Sequence, residues 1–338
     1  MPEKTAESYK NTSEIKSSAP INWTLLGAVR FFLAFIVLTE HLSWYIADSD
    51  VLLKFAKFSP TVAVLGFLVI SGFSIAASYE VKQKGFYFRR LLRILPVYVM
   101  GIFFSVLVVK LYPDVIVNNG VFELPDFKLI LGNLFFMQGI LVPSMDINPI
   151  VWTLSIEVFF YIITPFLVVK NKYFLTIIIA SFLLFSGQRY LGFHYFSQML
   201  YGLNILYLGW AWLLGFWFYH NRDKSGAIFF TTCLGLLAIT INGFFIKDFW
   251  TLTWLLTCFA ISYGHTIKVF FPKFFKELGD ISYPLYLLHI PLFYLVKHYQ
   301  IEKGYYFLIA AVLFCFAVDV LLDKPFKQLI KKFTMKTA

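Results

Sequence analysis

Charge is what this sequence has least of. Asp, Glu, Lys and Arg make up only 14% of its 338 residues, against about a quarter in soluble globular domains, so an ordinary water-soluble domain is excluded. Cysteine is scarce too. Cys233, Cys258 and Cys315 each sit inside an apolar run with no paired spacing, which gives no sign of a disulfide scaffold or of a metal site. No Gly-rich phosphate loop or dinucleotide fingerprint occurs, so any phosphate bound here has to be held by side chains. The first twenty residues, MPEKTAESYKNTSEIKSSAP, lack the apolar core and cleavage site of a signal peptide.

What is abundant is apolar surface. Hydrophobic residues form 59% of the chain and aromatic residues 20%, with 41 Phe, 20 Tyr and 8 Trp. A chain of this composition has the bilayer as its solvent. Its net charge of +10 then reads as the excess of Lys and Arg that membrane proteins keep in their cytoplasmic loops, not as a nucleic-acid surface. A small phosphorylated ligand is the anion worth considering.

Eleven apolar runs follow the polar tail, at 24–45, 59–78, 91–112, 129–142, 150–169, 173–186, 199–219, 226–246, 249–263, 281–296 and 305–322. The run at 129–142 is short and contains Gly132, Asn133, Gln138 and Gly139, where a typical span needs about 20 residues. Charge decides its fate. With a cytoplasmic N-terminus and no crossing at 129–142, 20 Lys and Arg lie inside and 8 outside; with a crossing, the split becomes 12 against 16. The positive-inside rule selects the first arrangement. The expected fold is therefore an all-α polytopic membrane protein of about ten transmembrane helices, both termini cytoplasmic. The segment at about 129–142 is expected to be re-entrant or interfacial from the outer side. The expected layout is a flexible cytoplasmic tail over 1–22, a transmembrane domain over 23–325 and a basic cytoplasmic tail over 326–338. The location expected is the plasma (inner) membrane.

Ionisable residues inside spans are functional candidates. Arg30 and His41 lie eleven residues apart in the first run. That spacing returns to the same helix face within about 20°, some 16.5 Å further along the axis. They cannot touch each other but can touch two ends of one elongated ligand. Counting rise per residue from the ends of the apolar runs puts Arg30 roughly 9 Å and His289 roughly 12 Å above the inner boundary, while His41 and Glu157 fall together nearer the outer one. Two layers are thus predicted. One is an inner basic layer of Arg30, Arg90, Arg93 and His289, with Arg90 and Arg93 on one helix face. The other is an outer His41/Glu157 pair, in which the carboxylate orients the imidazole as a general base. Arg89, Lys82 and Lys84 are adequately explained as a positive-inside anchor. Asp319 reads as a helix-end or salt-bridge residue, and His194, His220, His265 and His298 as segment-end residues.

The same residues carry a resemblance. Arg30-x10-His41, Ser71-Gly72-Phe73, the block Phe88-Arg89-Arg90-Leu91-Leu92-Arg93-Ile94-Leu95-Pro96-Val97-Tyr98, Trp152-Thr153-Leu154-Ser155-Ile156-Glu157, and Gly279-Asp280-Ile281-Ser282-Tyr283-Pro284-Leu285-Tyr286-Leu287-Leu288-His289 occur in that order. Together they resemble the acyltransferase type 3 family of integral-membrane acyltransferases. Two departures, Phe31-Phe32 after Arg30 and the closing Asp323-Lys324-Pro325, leave the charge pattern intact. Many relatives carry a fused extracytoplasmic hydrolase-like domain; ending at Ala338, the chain resembles the stand-alone form.

The resemblance implies transfer of an acyl group, usually acetyl, from cytoplasmic acyl-CoA to a hydroxyl of a cell-surface glycan, lipid-linked sugar or related acceptor. It implies that acetyl-CoA or another acyl-CoA is the donor substrate, with no metal and no nucleic acid involved. Arg30, Arg90, Arg93 and His289 are then expected to hold the CoA phosphates. His41, assisted by Glu157, would either deprotonate the acceptor or carry the acyl group covalently. Trp152, Asn133, Gln138, Ser282 and Tyr283 are structural residues or candidates for stabilising the oxyanion. The alternative is a secondary transporter or flippase of a polar lipid or sugar, because buried charges and a broken helix also serve transport.

Overall fold

The computed structural model describes residues 20–46, 51–118, 120–167, 169, 173–188, 196–243 and 248–329. Both expected tails fall almost wholly outside these, as does His194. The described residues form α1 Trp23–Leu42, α2 Pro60–Val81, α3 Phe86–Leu111, α4 Phe127–Leu134, α5 Trp152–Ile163, α6 Phe174–Gly187, α7 Leu203–Asn221, α8 Ser225–Gly243, α9 Asp248–Tyr263, α10 Pro272–His298 and α11 Gly304–Val318. One small hairpin, β1 Ile116–Val117 with β2 Gly120–Val121, pairs antiparallel between α3 and α4. Each apolar run of the sequence corresponds to one helix.

Among the described residues, six stretches are long and apolar enough to cross a membrane: Trp23–Leu42, Pro60–Val81, Phe86–Leu111, Pro149–Phe166, Ser225–Asn242 and Gly304–Leu329. The doubtful segment makes only the eight-residue α4, about 12 Å long against a hydrocarbon core of ~30 Å. The helices on either side of it, α3 and α5, run antiparallel. Tyr87 near the start of α3 donates to the Ile162 carbonyl at the end of α5 (3.0 Å), and Gln138 bridges the Tyr98 hydroxyl (3.0 Å) and the Val151 carbonyl (2.8 Å) at the other end.

The irregular chain after α4 is pinned by the buried Asn133, Gln138 and Asn148, while Phe135, Met137 and Leu141 stay exposed. Asn133 Nδ2 donates to the Pro143 carbonyl (3.0 Å), and Asn148 Nδ2 to the Leu287 carbonyl (3.0 Å) and Ser105 Oγ (3.2 Å). Asn133 and Gln138, two oxyanion candidates, thus spend their donors tying this segment to itself, to α3 and to the start of α5.

Local signals set the helix ends. Asn22 caps α1 by accepting from the Leu25 amide (3.0 Å), and its Nδ2 reaches the Gly264 and Ile267 carbonyls ahead of α10 (3.1 and 3.0 Å). Ser59 caps α2, with Pro60 in the first turn.

Small residues let the helices approach closely, the usual packing device where lipid removes the hydrophobic drive for association. α1 and α10 run parallel. Their backbones meet at Gly27 and Gly279, where a Cβ on Gly27 would lie 3.2 Å from the Gly279 Cα. Further along, their side chains meet at His41 and His289. α2 and α7 meet at Gly72 and Gly215. A Cβ on Gly72 would lie 2.0 Å from the Trp212 carbonyl oxygen, an overlap with backbone that no rotamer relieves. Gly72→Val is expected to destabilise the bundle by about 3 kcal/mol or more, read as a lower denaturation midpoint in detergent.

Candidate functional site

A cavity of about 1070 Å³ opens between α1, α2, α3, α5 and α10, at the upper end of the size range of small-molecule sites. Its mouth lies where α2 ends and α3 begins, and is lined by Lys82, Lys84, Arg89 and Arg93, together with Asp280, Asp323 and Lys327. Further in come Arg30, Ser71, Glu157 and Tyr161. Counting Arg30 and Glu157, six basic and three acidic side chains line it, a net of +3. The far end is formed by Val64, Phe67, Leu68, Thr153, Leu154 and Tyr286, apolar but for two hydroxyls. A positive mouth leading to an apolar end suits a long ligand with an anionic head.

Glu157 is the hub of the middle section. Its Oε1 accepts from Ser71 Oγ on α2 (3.0 Å) and from the Tyr161 hydroxyl one turn along α5. Arg30 counts Glu157, Arg93 and Asp280 among its charged neighbours. Glu157 therefore sits with Arg30 and not with His41, so the predicted outer pair is not formed. Its placement follows from where α5 begins, because Gln138 holds the Val151 carbonyl at the level of Tyr98, midway along α3.

His41 instead meets His289, with Nδ1 of the first 3.1 Å from Nε2 of the second. His289 is fully buried, and its Nδ1 lies 3.0 Å from the Leu285 carbonyl one turn back. Since a carbonyl only accepts, His289 carries its proton on Nδ1 and presents an unprotonated Nε2. His41 must then donate from Nδ1, which leaves the lone pair on His41 Nε2 free. The Trp44 ring packs edge-on against His41, centroids 4.7 Å apart.

His289 was expected in the inner layer. The error is one of helix length. α10 begins at Pro272, nine residues before its apolar run, so His289 lies about 25 Å along its helix and His41 about 27 Å along α1. Neither lines the cavity. They stand beyond its far end, with His289 one turn past Tyr286.

The basic cluster is likewise reassigned. Arg90 is buried against α2, where Nη2 donates to Ser78 Oγ, and it does not line the cavity. Arg93 lines it, together with Arg89, Lys82 and Lys84, for which topology alone is therefore not the whole account. Arg89 is pinned by the Lys84 carbonyl (2.6 Å) and the Lys82 carbonyl. Ser282 and Tyr283 also line the wall, but Ser282 Oγ donates to Gly279 O (2.7 Å) and the Tyr283 hydroxyl to Ile94 O (2.9 Å). Both are structural in this state. Trp152 stacks on Phe196 away from the cavity. Asp319 forms its ion pair with Lys324, 2.7 Å.

Sequence reasoning passed over Ser71 and Tyr161. Ser71 stood inside a quoted motif without a role, and Tyr161 is four residues after Glu157, the spacing that puts two side chains on one helix face.

A family model for an acyltransferase domain matches residues 25–322. No curated protein and no solved structure matches the chain.

Proposed function

The chain belongs to the acyltransferase type 3 family, and from that membership we propose that it moves an acyl group, acetyl in the simplest case, from cytoplasmic acyl-CoA to a hydroxyl of a cell-surface glycan or lipid-linked sugar. The observation that carries this reading is the cavity, with its cationic mouth, charged middle and apolar end next to a histidine pair.

In this reading about ten helices cross the plasma (inner) membrane and both termini are cytoplasmic, which puts the cationic mouth on the side where acyl-CoA is made. Arg89, Arg93, Lys82, Lys84 and Lys327 hold the nucleotide phosphates. The pantetheine arm follows the cavity past Arg30, and Glu157 accepts from one of its amide N–H groups while balancing the Arg30 charge. Arg90 supports α3 against α2.

His41 is the general base and His289 its positioning residue. As the acceptor oxygen attacks the thioester carbonyl, its proton passes to His41 Nε2. The tetrahedral intermediate then collapses, the C–S bond breaks, and the thiolate leaves with the proton from His41. The products are the acyl ester and CoA thiol. His289 keeps His41 in the tautomer with a lone pair on Nε2, the part that a carboxylate plays in other histidine sites.

Arg93→Ala tests the donor side. The KM for acetyl-CoA is expected to rise about tenfold, roughly 1.4 kcal/mol, with kcat within about twofold. Steady-state release of CoA thiol from the purified protein measures both, and an unchanged KM removes the assignment.

A further inference from the structure

Between the donor cavity and the histidine pair stands a partition. The Phe67 ring of α2 meets the Tyr286 ring of α10 edge-on, centroids 5.3 Å apart. The Tyr286 hydroxyl lies 3.1 Å from Thr153 Oγ1 at the start of α5. Thr153 Oγ1 itself donates to the Ile150 carbonyl (3.0 Å), so Tyr286 is the donor in their bond. Tyr286 and Thr153 are both buried. Three helices thus converge to close the cavity, one helical turn short of His289, and neither His41 nor His289 lines it.

We propose that Phe67 and Tyr286 select the donor by the size of its acyl group. The inference rests on the acyl-CoA reading above and goes beyond it by fixing the class of donor as short-chain. A donor held by its phosphates at the cationic mouth arrives acyl end first. Its acyl group has to pass between the two rings before the thioester carbon comes near His41 Nε2. An acetyl group needs a small rotation of one ring, whereas each added methylene must fit the same slit between buried, hydrogen-bonded walls. In a packed interior, one methylene is enough to discriminate about tenfold or more. Phe67 is the adjustable side, because the opposite ring is latched to Thr153.

The test is a binding series on the full-length protein in detergent, with CoA, acetyl-CoA and octanoyl-CoA as probes, for wild type, Phe67→Ala and the milder Phe67→Leu. Wild type is expected to bind CoA and acetyl-CoA alike and octanoyl-CoA about tenfold or more weakly. Phe67→Ala is expected to bind all three within about threefold of one another, and Phe67→Leu to fall between. Equal binding of all three probes by wild type, or an octanoyl-to-acetyl ratio unmoved in both variants, overturns the size filter and leaves the acyl-CoA reading standing. Failure of wild type to bind CoA at all overturns both. A melting midpoint in detergent close to that of wild type serves as the folding control for the variants.

Discussion

Acyl transfer by His41→Ala is expected to fall at least about 10³-fold, with CoA affinity within twofold of wild type. The size of the loss follows from the two tasks the imidazole performs. It removes the proton as the acceptor attacks and returns it to the leaving thiolate, and a positioned general base alone contributes about 10²–10⁴-fold. The sparing of CoA affinity follows from geometry, because His41 lies outside the cavity that would hold the nucleotide and arm. A variant that binds CoA normally is also folded, so the two readouts separate lost chemistry from lost structure. If His41→Ala turns over normally, the base is elsewhere.

His289 has the second large effect, and it acts through His41. His289→Leu is expected to lower kcat about 10²-fold with the KM for acetyl-CoA unchanged. Without an acceptor at the position of Nε2, His41 is free to turn or to protonate Nε2, and a wrong tautomer at a histidine base is costly. His289→Gln distinguishes this from a packing defect. The Gln Oε1 can accept from His41 Nδ1 as His289 Nε2 does, so part of the lost kcat, on the order of tenfold, should return. Equal losses in the Leu and Gln variants would mean that His289 merely fills space.

His41 keeps the role the sequence suggested, whereas its partner and the place of His289 differ, and the differences have identifiable causes. Apolar runs located the eleven described α-helices and picked out 129–142 as the odd one, because hydropathy reports directly on contact with lipid or core. Arg30, His41, Glu157 and His289 stood out for the same reason, being polar groups inside apolar runs. Hydropathy is blind to the polar end of a helix. PKFFKELGD, the first nine residues of α10, is amphipathic and was left out of the span, which displaced His289 by about 13.5 Å and put it beside Arg30 on paper. Glu157 erred in the opposite sense, since no periodicity reveals that α5 starts at the level of Tyr98, midway along α3. With both corrected, the His41 partner changes from a carboxylate to an imidazole.

Facing direction was the other blind spot. Arg89, Arg90 and Arg93 follow one another closely, and spacing alone grouped Arg90 with Arg93. The packing of α3 against α2 turns Arg90 to Ser78 and leaves Arg89 with Arg93 on the cavity. The partition of Phe67, Thr153 and Tyr286 was not legible at all, because it is built from three helices distant in sequence, two of them contributing residues inside family motifs.

The most direct test of a donor cavity serving a separate histidine pair is transfer itself. Purified wild-type protein and His41→Ala, each reconstituted in vesicles with envelope extract as the source of acceptor, would receive isotopically labelled acetyl-CoA. Labelled acetyl ester and free CoA thiol would be measured together. The expected result is stoichiometric ester and thiol from wild type and neither from His41→Ala, with equal CoA binding by both. Equal label from the two proteins would show that the histidine pair is not where the acyl group moves.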